Sequence, residues 1–361
     1  VHYETARQTA SVTYFHNRID DLIEWAETSP GSWFYTPQNV SSARITGWTL
    51  AYRGLYGPLT VRASADFQDP RNLETHNLLT RRARRHANLG LDYVTGAWTL
   101  GGEVVSSDSE RFKAGDEVIL NGWGVGERHW GGLAEMARVP AQWLLHKPEG
   151  LSQRETMALG TAGYTAMLSV QRIIAHGVTA GDGEIVVSGA NGGVGSFAIA
   201  ILTKLGYDVT ALTRRVNESA YLIDTLGAKV IMDSSEYGSK GKPLAKERWA
   251  AAVDSLGSHT LANICAATRY GGIVTACGLA QGMDFEGTVA PFILRGVTLA
   301  GIDSVMRPQA DRIAAWQQLA EIFGGSPLLN SISENISLQD VPAAAEDLLA
   351  GKIRGRVVVE V

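Results

Sequence analysis

Two rhythms of hydrophobic and polar positions divide the chain. Through the first hundred residues the dominant period is two: Leu59, Val61, Ala63, Ala65 and Phe67 alternate with Thr60, Arg62, Ser64, Asp66 and Gln68. Ala87, Leu89, Leu91 and Tyr93 alternate with Asn88, Gly90 and Asp92, and Trp48, Leu50 and Tyr52 share a face opposite Thr49, Ala51 and Arg53. Successive side chains of a strand point to opposite faces, so these stretches predict strands with one apolar and one polar face. Tyr56-Gly57-Pro58 and Thr95-Gly96 supply the turn signals between them. At Gly101-Gly102-Glu103-Val104-Val105 the pattern changes. Residues 106–115 are polar and turn-like, and 116–120 read as a strand. From Gln153 onward helical and strand patterns alternate at βαβ spacing, which predicts a doubly wound parallel sheet.

Composition narrows the picture only a little. A chain of 361 residues with 45% apolar positions has room for two or three domains and a sizeable core. A net charge of −5 gives no general case for nucleic-acid binding. Arg81, Arg82, Arg84, Arg85 and His86 could form a local nucleic-acid patch, but the run reads better as a solvated turn. The two cysteines, Cys265 and Cys277, provide no disulfide framework and suit reduced thiols in a cytoplasmic protein. No run of about 18 apolar residues predicts a spanning helix, and the chain opens at Val1 without a charged and apolar leader, which predicts a signal peptide absent or already removed.

The strongest chemistry lies in residues 181–215. Glu184-Ile185-Val186-Val187-Ser188 is a short β-branched run of the kind that forms a buried parallel strand. Glycines follow at 189, 192, 193 and 195, then an apolar helix over 196–205 that stops at Gly206, then a strand over 208–212. A glycine-rich turn between strand and helix lets the backbone approach a pyrophosphate, which sits on the free N–H groups of the helix start. An ordinary tight turn is the alternative, and the flanking strand and helix favour the dinucleotide reading. The second strand ends in Thr213-Arg214-Arg215 where an NAD-binding chain carries an Asp or Glu for the ribose hydroxyls. Guanidinium groups suit a 2′-phosphate, so NADPH is expected over NADH.

Two resemblances sharpen these readings. Residues 39–48 (NVSSARITGW) and 79–103 (LTRRARRHANLGLDYVTGAWTLGGE) resemble C-terminal barrel strands of TonB-dependent outer-membrane receptors, the cobalamin transporter type included. The plug and most of a barrel are missing, so transport is not carried over, and stable membrane insertion is not expected of an unclosed sheet. From residue 102 the chain is similar to acrylyl-CoA reductases, also labelled YhdH-type quinone oxidoreductases. These are zinc-free members of the medium-chain dehydrogenase/reductase superfamily. The similarity rests on residues 122–135 (GWGVGERHWGGLAE), 160–167 (GTAGYTAM), 182–196 (DGEIVVSGANGGVGS), 270–280 (YGGIVTACGLA) and 291–305 (PFILRGVTLAGIDSV).

By that resemblance Asn191, Gly192, Gly193 and Val194 cradle the pyrophosphate of NADPH, and Thr213, Arg214 and Arg215 take its 2′-phosphate end. Leu279, Ile293 and Ser304 line the rest of the cleft. The family has Ser-Gly-Arg where this chain has Thr-Arg-Arg, and this chain is one residue longer just after it. Which arginine grips the phosphate therefore stays open. The substrate implied is a small molecule, an α,β-unsaturated acyl-CoA such as acrylyl-CoA or a quinone, reduced by hydride. Superfamily relatives are often dimers, so a homodimer is among the expected partners.

Metal is not expected: no Gly-His-Glu motif or cysteine lobe occurs, and His129, His146, His176 and His259 lack ligand spacing. His129 reads as a structural or cleft-lining residue, and Cys277 as a packed thiol. The family's N-terminal GroES-like strands, with an Asn-Tyr-Lys-Asp stretch beside the nicotinamide, are absent. The sequence thus predicts a chimera-like chain of four parts. Residues 1–101 form a receptor-like antiparallel β segment and 102–158 the remnant of a GroES-like catalytic domain. Residues 159–305 form an NADP-binding Rossmann domain, and 306–361 return to the catalytic domain through a closing strand at 353–359. No catalytic side chain is assigned, and activity is expected to be impaired. The competing reading is an outer-membrane receptor barrel fragment with an incidental tail.

Overall fold

The computed structural model describes residues 1–27, 35–73, 85–95, 98–107, 111–113 and 115–361, so the turn expected at Thr95-Gly96 and Arg81, Arg82 and Arg84 lie outside the described residues. The chain separates into two compact units: Val1–Asp116 with Pro140–Gln142, and Glu117–Val139 with Trp143–Val361. Among the described residues no helix is long and apolar enough to cross a membrane.

The first unit is built from period-two alternation. Strands β1 (His2–Glu4), β2 (Gln8–Glu27), β3 (Tyr35–Tyr56), β4 (Leu59–Asn72), β5 (Arg85–Thr95) and β6 (Trp98–Ser107) pair antiparallel, each with its sequence neighbour. Tyr14 faces Trp48, Trp48 faces Phe67, and Val61 faces Leu91, so the apolar residues of successive strands fall on one face of the sheet. That face is uncovered within the unit: Tyr14, Trp48, Phe67 and Leu91 are 44–54% exposed. On the other face Thr49 donates to Asp66 at 2.6 Å, and Arg62 pairs with Asp92 at 2.9 Å. The change of pattern at Gly101-Gly102 is not a break in the backbone. Strand β6 runs through it to Ser107, because His86 to Thr95 of β5 offers ladder partners along that whole length.

The second unit begins thinly. The strand expected over 116–120 shrinks to β7 (Val118–Ile119), whose only partner among the described residues is β8 (Leu145–His146). Helix α1 (Gln153–Ala175) then starts on a capping box: Ser152 Oγ accepts from Glu155 N, and Glu155 Oε2 accepts from Ser152 N at 2.7 Å. Six parallel strands follow, namely β9 (Ile185–Ser188), β10 (Val209–Thr213), β11 (Val230–Asp233), β12 (Trp249–Asp254), β13 (Thr268–Ala276) and β14 (Thr298–Gly301). Between them come α2 (Gly193–Lys204), α3 (Ser258–Ala267) and α4 (Ala290–Arg295). The strand order is β11-β10-β9-β12-β13-β14, so the winding reverses between β9 and β12 and leaves a crevice at their carboxyl ends. The C-terminal return is α5 (Gln309–Phe323), α6 (Leu328–Ile332), β15 (Ser333–Ser337), α7 (Val341–Leu349) and β16 (Arg356–Glu360), with β15 and β16 paired in parallel. The closing strand is thus shorter than expected and starts at Arg356.

The core explains the order. Ile185, Val186 and Val187 are fully buried, as a central parallel strand covered on both faces must be. Phe197 of α2 meets Phe323 of α5 edge to face, with centroids 5.6 Å apart, which fastens the C-terminal helix to the sheet's covering layer. Phe197→Ala should therefore destabilise this unit by about 3–5 kcal/mol, read as a fall in the denaturant midpoint. Glu155 titrates below the ordinary glutamate value of 4.5 because the Ser152 backbone N–H binds its carboxylate. The stabilisation is complete above 4.5 and is lost as pH falls through the lowered value. Glu155→Gln should lower stability in the neutral region, flatten the acid limb of the stability profile, and converge with the parent chain at low pH.

Candidate cofactor site

The crevice above β9 is shaped by what glycine permits. Gly189 has φ of +61°, and a Cβ there would stand 2.4 Å from Ser255 Oγ. A Cβ on Gly195 would stand 2.3 Å from the Gly189 carbonyl oxygen, so the first turn of α2 is pressed onto the loop's own backbone. Helix α2 begins at Gly193, three residues earlier than the apolar pattern suggests, because the glycines themselves form its first turn. Its N-cap, Gly192, offers no side-chain cap, so the first N–H groups are left for a ligand. The turn is braced from below: buried Asp254 accepts from Ser188 Oγ at 2.7 Å and Gly257 N at 2.8 Å. Desolvation raises the Asp254 pKa, which the same hydrogen bonds oppose.

Arg356, which sequence reasoning placed only in the closing strand, proves to belong here. A Cβ on Gly193 would touch its Cδ at 2.8 Å, and one on Gly160 would touch its Nη2 at 2.8 Å. Gly160 takes φ of +47° and kinks α1, which opens the space that the guanidinium fills. Nε has no hydrogen-bond partner, burial lowers the arginine's pKa, and no carboxylate among the described residues pairs with it. A half-buried cation without a carboxylate partner among the described residues, at the free end of a helix, is a fit for a diphosphate. The only advance signal was an arginine interrupting the apolar run at 357–359.

The other expected residues fall in three groups. Asn191 is buried and fully committed: Oδ1 accepts from Thr213 Oγ1, Nδ2 donates to Glu218 at 2.7 Å, and its carbonyl accepts from Gly355 N at 2.8 Å. Thr213 ends β10, Arg215 follows with its N–H bonded to Thr213 Oγ1, and Arg214 is exposed. Val194 packs against the core from the start of α2. Leu279 and Ser304 lie beyond the carboxyl ends of β13 and β14, and Leu279 is exposed. Ile293, on α4, is 73% exposed.

A second cluster orders the neighbouring loops. Arg312 is completely buried, donating to the carbonyls of Asn121 at 2.8 Å, Val305 at 2.6 Å and Arg307 at 2.8 Å. Its guanidinium lies 4.5 Å from the Trp123 ring and 5.4 Å from Tyr164, whose hydroxyl is pushed up to about 12 by burial. Trp123 sits at φ of +57°, held by a bond from its N–H to Val305 O. His129 packs on the Trp143 ring with centroids 4.8 Å apart. Cys277 donates its thiol to Asp254 O, and burial pushes it up to about 12. Among the described residues no group of three or more potential ligands could hold a metal.

Strand order, glycine turn and orphaned guanidinium together define a dinucleotide-binding domain of the doubly wound type. Residues 193–322 match the family model for zinc-binding dehydrogenases, and residues 1–145 match that for the TonB dependent receptor-like beta-barrel. The chain is 48% identical over 260 residues to the probable acrylyl-CoA reductase AcuI of Escherichia coli K12, covering 72% of this chain and 79% of that protein. The yhdH oxidoreductase of Salmonella enterica, solved in complex with NADP, superposes with a TM-score of 0.69 at 45% identity, covering 75% of this chain and 80% of that one. Bacillus subtilis yhfP, solved with NAD bound, gives 0.67 at 41% identity, covering 71% and 78%. The chain belongs to the acrylyl-CoA reductase and YhdH-type quinone oxidoreductase family of medium-chain oxidoreductases, with a receptor-like β segment at its N-terminal side.

Arg312 and Arg356 make opposite predictions under one substitution. Arg312→Met takes the guanidinium donors away from the Asn121, Val305 and Arg307 carbonyls and should cost about 3–5 kcal/mol. Arg356→Met removes a half-buried charge that has no carboxylate partner among the described residues and should leave the melting temperature unchanged or higher. Thermal unfolding of the two variants side by side checks both.

Proposed function

We propose that this chain is an NADPH-binding reductase that acts on the carbon–carbon double bond of a small α,β-unsaturated acyl-CoA, with acrylyl-CoA the first candidate and a quinone the second. The observation that carries the reading is the uncompensated Arg356 guanidinium set against Gly193 at the uncapped start of α2. The relatives named above supply the substrate class.

In this reading the Gly192, Gly193 and Val194 backbone and Arg356 hold the pyrophosphate, while Asn191 keeps the loop in register through Thr213 and Gly355. Thr213 and the arginines after it receive the 2′-phosphate end, and Leu279, Ile293 and Ser304 border the remainder of the cleft. When bound, the nicotinamide supplies hydride. The protein's part is to position the cofactor and to place hydrogen-bond donors where charge develops on the thioester oxygen. The domain division proposed is a nucleotide domain over 159–305 flanked by catalytic remnants at 102–158 and 306–361. The Asn-Tyr-Lys-Asp stretch of the family has no counterpart here, so turnover is proposed to be weak relative to binding. A cytoplasmic setting suits the two free thiols. A homodimer suits β14, whose outer edge has no partner among the described residues.

A second reading applies to the first unit alone. Its uncovered apolar face and ion-paired opposite face match the two sides of an outer-membrane barrel wall. Partition of the protein into detergent with heat-modifiable gel migration would support it.

Titrating the purified chain with NADPH and NADH, followed by nicotinamide fluorescence, should give saturable binding with NADPH tighter. Added acrylyl-CoA should then oxidise NADPH measurably but slowly. Binding of neither nucleotide would overturn the reading.

A further inference from the structure

We infer that the second unit carries an anion site apart from the crevice, in which Lys240, Lys242 and His259 receive a phosphate group. None of the residues assigned to the cofactor lines it, so the inference stands whether or not the crevice takes NADPH.

The site is a cavity of about 90 Å³ bounded by three segments: the crossover from β11 to β12, helix α3, and the loop leading into α4. Space of that size holds several waters, or one tetrahedral oxyanion in their place. Its walls are fastened before anything binds. Asn263 Nδ2 donates to Tyr237 O at 2.9 Å and Ser239 O at 2.8 Å, which seats the crossover on α3. Gly241 packs so closely on Asn263 Oδ1 that no side chain fits there. Gln281 ties the same parts, accepting from Thr260 N at 3.1 Å and donating to Gly238 O at 3.3 Å. In the third segment the Phe285 ring lies 6.5 Å from that of Phe292 and folds over Gly287, where a Cβ would stand 2.5 Å from it. Little ordering is left to oppose a ligand.

The charges around this cavity do not balance. Lys240 and Lys242 both line it, and neither forms an ion pair among the described residues. Glu286 is the one carboxylate in the lining, which leaves two ammonium groups against one negative charge. His259 adds a buried Nδ1 that has no hydrogen-bond partner, a cost that a bound acceptor removes. The donors come from two segments, the crossover and α3. A tetrahedral oxyanion, with acceptors in every direction, fits them better than a planar carboxylate. The phosphate is either free or the monoester end of a nucleotide, for which Phe285, 41% exposed, offers a ring to the base.

The test titrates inorganic phosphate and 3′,5′-ADP into the full chain at constant ionic strength, followed by calorimetry. Saturable binding should persist in Arg356→Met, which alters only the crevice. Lys240→Met and Lys242→Met should each weaken phosphate about 10-fold, and His259→Ala by a similar factor. Glu286→Gln should tighten it about threefold by removing a like charge. A nucleotide source makes 3′,5′-ADP the tighter ligand, with both lost in the lysine variants, and equal affinities assign the site to free phosphate. Absence of saturable binding, its loss in Arg356→Met, or unchanged binding in both lysine variants overturns the inference.

Discussion

A single buried guanidinium sets the terms for everything around the crevice. Arg312 has no carboxylate partner among the described residues, so its cost of desolvation is met by backbone carbonyls from Asn121, Val305 and Arg307 and by the faces of Trp123 and Tyr164. Each carbonyl belongs to a segment without regular structure of its own. Satisfying the cation therefore dictates where those segments run, and it holds Trp123 in a left-handed conformation that an aromatic residue otherwise avoids. The thin pairing of β7 with β8 survives beside this anchor although it has only two residues on each side.

The elements that sequence reasoning recovered are those whose cause is local. Alternation over 59–67 and 87–93 needs only adjacent residues to be read, and it emerges as β4 and β5. The β-branched run at 185–188 and the glycines behind it likewise contain their own explanation in the turn from β9 into α2. What stayed hidden depends on partners far along the chain. Arg312 meets Asn121 across 191 positions, and Arg215 meets Lys352 and Ile353 across 137 and 138. Arg356 escaped notice because its meaning lies in an absence, a charge without a counter-ion, and that is visible only once Gly160 and Gly193 are seen beside it. The shift in composition near Gly101 marked a change of resemblance, but the ladder of β5 carried the sheet past it to Ser107.

The two units solve opposite problems. The parallel sheet covers both faces with helices and buries its central strand completely. The antiparallel sheet keeps Tyr14, Trp48, Phe67 and Leu91 half exposed, because six strands in sequence order offer nothing of their own to lay against that face. The same chain thus holds one sheet covered on both faces and another whose apolar face stays open among the described residues.

The bond from Gly355 N to Asn191 O has a consequence for biosynthesis. Strand β9, its turn and α2 are synthesised more than a hundred and fifty positions before the residue that clasps their loop. During translation the glycine turn must wait, formed but unfastened, until Gly355 has left the ribosome. A chain cut before Gly355 would carry the sheet and the glycine turn without the clasp that joins them to the C-terminal segment.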